Sequence, residues 1–211
     1  PLPHGKFSVR IGSYFHQFLV LTMGGTIAIT SPPYATALPY IDTQRLSLVW
    51  LGLCQPNQLR HLEAELTGSR EISGKNKTQW KQRLQENEDH LTGAPYKLCM
   101  DLANALTDDD GFRRQAVPLL MYRYFYNMRE MFEQVKLITK KEAPFALVVG
   151  HNRTTLGGKV FDLDTPAYLK EIAEACGWQH IESYPLQTYQ RYDIHKTNSV
   201  KLETLLVLNN V

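Results

Sequence analysis

Two consecutive prolines closing an apolar run constrain this 211-residue chain more than any other feature. Residues 26–30 (TIAIT) are dominated by β-branched side chains and predict a buried strand. Ser31-Pro32-Pro33 must end it, because proline donates no hydrogen bond to a sheet ladder. The chain just upstream, from Phe18, holds a second β-like apolar run, and Gly24-Gly25 separates the two.

The remaining sequence organises around this strand. Residues 43–52 predict a helix stopped by Gly52. Residues 53–117 are polar, with charges of both signs, and predict helices near 56–66, 78–90 and 96–106. Loop chemistry fills 67–77, and Asp108-Asp109-Asp110-Gly111 forms a turn or the acidic start of a helix. Residues 118–136 predict a long helix opened by Pro118. The apolar run 145–150 (FALVVG) predicts a second strand buried on both faces. A loop, 151–159, contains Gly157-Gly158. Asp164-Thr165-Pro166 then opens a helix through Ala175, closed by Gly177. Two strands follow, near 181–189 and 202–208, with no room for a helix between them.

This order predicts an α/β fold, with a mainly parallel sheet, helices on both faces and an antiparallel pair of strands at one edge. The expected division is a core made of 1–52 and 118–211, interrupted by a helical insertion at 53–117.

Composition narrows the function classes. With 43% hydrophobic and 21% charged residues the chain can bury a core. A net charge of +2 neither demands nor excludes nucleic acid, since phosphate binding depends on where the cations sit. Cys54, Cys99 and Cys176 form no CxxC pair, which argues against structural zinc and for reduced thiols in a cytoplasmic protein. No apolar run reaches the ~20 residues of a membrane span. The chain begins at Pro1 without an initiator Met, as a processed or truncated polypeptide would.

Ligands of open α/β sheets bind at the carboxyl ends of strands. A rigid Pro-Pro step placed there holds its carbonyls in fixed directions. The Pro32 carbonyl and the Ser31 hydroxyl can accept the two hydrogens of an amino group and aim its lone pair at an electrophile. Tyr34 offers a flat face on which a planar base can stack. The bare alternative is a strand-terminating turn. Tyr40 and Asp42 either line the same pocket or cap the helix at Thr43. Arg45 meets a phosphate or faces solvent. His151, Asn152 and Arg153 form a functional loop or a polar surface loop.

Residues 30–52, TSPPYATALPYIDTQRLSLVWLG, resemble motif IV and its following helix in DNA methyltransferases that modify exocyclic amino groups. Those enzymes carry S/D/N-PP-Y/F here, and the serine form is commonest where the target is the C4 amino group of cytosine. Residues 145–150, His151-Asn152-Arg153, Gly157-Gly158 and Asp164 resemble the family's fifth strand, the loop after it and the next helix. Residues 184–193 and 202–208 resemble its closing strands.

The resemblance implies part of a Rossmann-like class I methyltransferase sheet and double-stranded DNA as partner. It implies transfer of a methyl group from S-adenosylmethionine to a base flipped into the pocket. Ser31, Pro32, Pro33 and Tyr34 would be catalytic. Tyr40, Asp42, Arg45, His151, Asn152 and Arg153 would bind substrate, and Thr30 and Ser31 would touch the cofactor. The insertion would be a target-recognition region or a helical cover.

One departure is large. The family's Gly-rich cofactor turn, of the form (D/N)-PF-x-G-x-G-T, and its acidic ribose-binding strand are missing. Gly24-Gly25-Thr26 leads straight into the catalytic strand. The full S-adenosylmethionine site is therefore expected to lie outside this chain, on a second polypeptide or an upstream region. Otherwise the chain is a non-catalytic subunit or a truncated form of the fold.

Overall fold

The computed structural model describes residues 21–22, 25–35, 40–70, 72, 74–186 and 202–211. These fall into two compact units. One holds the described residues up to Pro33, Met128–Thr154 and those from Phe161 onward. The other holds Tyr34–Asn127 and Thr155–Val160.

The first unit is built on a sheet. Its strands are β1 (Leu21–Thr22), β2 (Ala28–Thr30), β3 (Pro144–Gly150), then, after the hairpin strands β4 (Asn152–Leu156) and β5 (Lys159–Leu163), β6 (Trp178–Leu186) and β7 (Glu203–Asn210). The five-stranded order is β1-β2-β3-β7-β6. Strands β2 and β3 run parallel, pairing Ala28 with Phe145 and Thr30 with Leu147. The other pairings, β1 with β2, β3 with β7 and β6 with β7, are antiparallel. The sheet is therefore mixed, and the expected mainly parallel character fails. The cause is β7, which inserts between β3 and β6 and makes two antiparallel ladders where a helical crossover would have made parallel ones. The expected antiparallel pair at the edge is present. Strand β6 begins three residues earlier than its sequence prediction, and residues 187–189 of that prediction lie outside the described residues.

One face of this sheet carries the core. Phe145, Leu147, Leu206 and Leu208 are fully buried, and the register sets Phe145 opposite Leu208 and Leu147 opposite Leu206. The long helix α6 (Val117–Ile138) crosses this face from Met128 onward. Phe132 meets the Phe145 ring edge-on at 6.1 Å, and its carbonyl accepts the Trp178 indole N–H at 3.1 Å. Asn210 donates to the carbonyl and the hydroxyl of Thr139, which satisfies the end of α6. Each of the large side chains buried here contributes about 1.5–3 kcal/mol. Helix α7 (Thr165–Ala175) packs on β3, β6 and β7. The Asp164 side chain caps it by accepting Ala167 N–H at 3.3 Å, and Cys176 just after it reaches the Arg129 carbonyl of α6.

The opposite face is only half covered. Ala146, Val148, Leu205 and Val207 are half-buried, and Ile29 is 46% exposed. Among the described residues, then, the helices of this unit flank one face, which corrects the expectation of helices on both.

The segment 151–159 is not a loop. It forms the β4–β5 hairpin around Gly157-Gly158, whose φ values of +53° and +75° are those of a type I′ turn. The two five-residue runs flanking Gly-Gly carried that signal.

The second unit is helical: α1 (Tyr40–Trp50), a 3-10 turn at Pro56–Gln58, α2 (Leu59–Glu65), α3 (Gly74–Glu86), α4 (Gly93–Asn104), α5 (Phe112–Gln115) and the start of α6. Ile41, Leu48 and Val49 of α1 pack with Cys54, Leu59, Leu62 and Leu66, so α1 groups with α2. Helices α3 and α4 start earlier than predicted. Pro95 sits within the first turn of α4, where its missing N–H costs nothing. Tyr122, Tyr124 and Phe125 are buried packing residues. Arg83 lies over Trp80 at 4.1 Å and Tyr126 at 4.7 Å and pairs with Asp89. Cys54, Cys99 and Cys176 are free thiols. No helix among the described residues is long and apolar enough to cross a membrane.

Candidate active site

Pro32 and Pro33 stop β2 after three residues, so Ser31 stands at its carboxyl end beside the parallel strand β3. Thr30 is buried with its neighbours on the α6 face. Ser31 is exposed, Pro32 buried and Pro33 half-buried. The Ser31 hydroxyl donates to the Val148 carbonyl at 3.3 Å. With its proton committed there, the hydroxyl presents lone pairs outward, which is the polarity an amino group requires. Tyr34, the next residue, is half-buried and belongs to the helical unit.

At the carboxyl end of β3, His151 is held on both ring nitrogens. Nε2 meets the Thr204 hydroxyl at 3.2 Å, and Nδ1 meets Asp164 Oδ1 at 3.4 Å. Asp164 and Thr204 escaped the sequence reading as partners of this histidine. Asp164 was legible only as a helix cap, and nothing local marks Thr204. Asn152 Oδ1 accepts the N–H of Arg153, and the Arg153 guanidinium pairs across the hairpin with Asp162 at 2.5 Å. Both partners of that pair are mostly exposed, so it contributes little to stability.

Tyr40 and Asp42 lie in the first turn of α1, and their side chains are outside the described residues. Arg45 is exposed on the same helix. The sheet unit thus gathers Ser31, Pro32, Pro33, His151, Asn152 and Arg153, while Tyr34, Tyr40, Asp42 and Arg45 belong to the helical unit.

Gly25, just upstream of β2, does not fit a cofactor loop. Gly25, at φ +76°, gives its carbonyl to Lys140 N–H at 2.7 Å, and a Cβ there would meet the Ile138 carbonyl at 2.9 Å. This turn is packed against the end of α6, at the amino end of β2, whereas Ser31 lies at the carboxyl end. Among the described residues no group of three or more His, Cys, Asp or Glu is placed to hold a metal ion.

No protein-family model and no curated protein matches the chain. Two solved structures match part of it, both of a provisionally assigned DNA modification methylase of Thermus thermophilus. The selenomethionine derivative aligns with 42% of this chain and 37% of its own, at 11% identity and a TM-score of 0.34. The complex with S-adenosyl-L-methionine aligns with 44% and 40%, at 10% identity and a TM-score of 0.38. The chain therefore spans about two fifths of that protein's length. Likeness of this degree carries no assignment, and the site stands on its own geometry.

Proposed function

We infer that the chain is the amine-holding half of a DNA amino-group methyltransferase. The observation that carries this reading is Ser31-Pro32-Pro33 at the carboxyl end of β2, beside a parallel β3, with the serine proton already committed to Val148. An exocyclic amino group donating to the Pro32 carbonyl and Ser31 Oγ is held with its lone pair directed away from both. That is orientation without a covalent nucleophile. The serine form favours cytosine over adenine. Tyr34 stacks the flipped base, and Tyr40, Asp42, Arg45, His151, Asn152 and Arg153 contact the substrate. Residues 53–117 are the candidate target-recognition region.

S-adenosylmethionine would supply the methyl group as an electrophile. Only Thr30 and Ser31 are offered to it here, so the described residues do not make its site, and no step is assigned through it. This favours a second reading of the same site: a subunit that depends on another polypeptide for the donor half, or one that no longer catalyses.

The test uses duplex pools with random flanks and one unpaired cytosine or adenine, against pools with an abasic position. Native protein should prefer the amino-bearing pools. Tyr34→Ala should remove about 1–3 kcal/mol of that preference, roughly five- to 150-fold, with unchanged circular dichroism. Equal retention of the abasic pool would sink the assignment.

A further inference from the structure

Phe112 stands out of the helical unit beside a row of cations. It is 70% exposed, yet the segment that carries it is pinned at both ends. Before it, the buried Asp110 accepts the backbone N–H groups of Thr107 and Gly157 at 3.0 and 2.9 Å. After it, Ala116 is buried, and Arg114 N–H donates to the Gly111 carbonyl at 2.8 Å. One exposed apolar side chain is ordinary in a folded protein. What sets Phe112 apart is its company. The Lys77 ammonium lies 5.6 Å from the ring centroid. Lys81 follows one turn along α3, on the same face, and Arg113 adjoins the ring; both are exposed. The acidic residues nearby lie to one side. Asp89 pairs with Arg83, Glu88 lies 4.0 Å from that same guanidinium, and Glu86 accepts from Gln82, all at or beyond the far end of α3. The stripe of Lys77, Thr78, Lys81 and Gln85 holds no acid. Exposed Asp108 and Asp109 precede Phe112 and repel phosphate, so a bound strand runs on the α3 side of the ring.

We propose that Phe112, Lys77, Lys81 and Arg113 form a contact for single-stranded DNA, with a base stacked on the ring face that Lys77 leaves open and the flanking phosphates on the three cations. The occupant follows from the combination. Cations alone would suit any polyanion, and a lone ring any apolar surface. A ring set among cations suits a chain in which flat apolar rings alternate with phosphates. Every base has a face to stack, so the contact grips a strand without reading its sequence. This deepens the reading of residues 53–117 given above, and the choice of DNA over RNA rests on that reading.

The probe is a fluorescein-labelled oligothymidylate of about twelve nucleotides, within the range of single-strand site sizes. Thymine carries no exocyclic amino group, so the probe bypasses the pocket claimed for Ser31–Tyr34, and either claim can fail without the other. In anisotropy titrations the native chain should bind it more tightly than an abasic strand of equal length. Phe112→Ala should weaken the oligothymidylate about five- to 150-fold and leave the abasic strand unchanged, with unaltered far-UV circular dichroism. Phe112→Trp should restore the difference. Lys77→Gln together with Lys81→Gln should reduce the slope of log affinity against log salt by about 1.4, roughly 0.7 for each phosphate lost. Native chain that binds the two strands alike, Phe112→Ala that binds as native does, or a salt slope unmoved in the double glutamine variant would each overturn the proposal. Tighter binding of the matching oligouridylate would assign the contact to RNA instead.

Discussion

Adding one methyl group at Gly157 should cost much more than adding it at Gly158, although the two share a turn. Both have positive φ, +53° and +75°, so an alanine at either bears the left-handed backbone cost of about 1–2 kcal/mol. Their surroundings differ. At Gly158 a Cβ meets nothing within 4 Å. At Gly157 it would lie 2.1 Å from the Ala105 carbonyl oxygen and 3.3 Å from Thr107. The obstacle is backbone, which cannot rotate aside, so the turn must lift away, adding about 1–3 kcal/mol. Gly158→Ala should therefore lose about 1–2 kcal/mol and Gly157→Ala roughly 2–5. For a chain of this size each kcal/mol lowers the melting temperature by about 2–4 °C. Urea denaturation should give the difference, and hydrogen exchange should locate it at the Gly157 amide, now bonded to Asp110 at 2.9 Å. Equal losses in the two variants would refute the reasoning.

Other consequences can be checked alongside. The backbone N–H of Thr107, helped by that of Gly157, holds the Asp110 carboxyl below its ordinary range. Its contribution should be complete above about pH 4 and disappear as pH falls through the depressed value, and Asp110→Asn should flatten that part of the stability profile. An unchanged slope would contradict it. Arg83→Ala should cost about 1–3 kcal/mol, because it removes the charge-assisted hydrogen bonds to the nearly buried Asp89 carboxylate and empties the space over Trp80 and Tyr126. Arg83→Lys should recover only part of this in thermal melts, since an ammonium does not stack as a guanidinium does. Calorimetry with S-adenosylmethionine should show weak binding or none. Tight binding would mean that residues outside those described build a donor site.

Much of the architecture was legible because proline, glycine and unbroken apolar runs act locally. Pro32-Pro33 ended β2 where expected, and Asp164 with Gly177 bracketed α7. The misses share a cause: each needed information carried by a distant partner. The direction of β7 depends on which strands it joins, and a run such as Thr204–Leu208 looks alike in either ladder. FALVVG promised burial on both faces, yet Ala146 and Val148 meet only partial cover. The hairpin at Gly157-Gly158 was an avoidable miss. Within the candidate site, Ser31 and its prolines were visible from chemistry alone. The hydrogen bond to Val148, 117 residues away, and the bracing of His151 by Thr204 and Asp164 were not.

The central claim is that Ser31–Tyr34 receives an exocyclic amino group. Amide chemical shifts of ¹⁵N-labelled protein, titrated separately with deoxycytidine, deoxyadenosine, deoxyuridine and thymidine, test it without knowledge of any recognition sequence. The account predicts that the two amino-bearing nucleosides shift Ser31 and Tyr34, with deoxycytidine the stronger, and that deoxyuridine and thymidine leave both unmoved. Equal shifts from all four, or shifts confined to residues away from the end of β2, would contradict it.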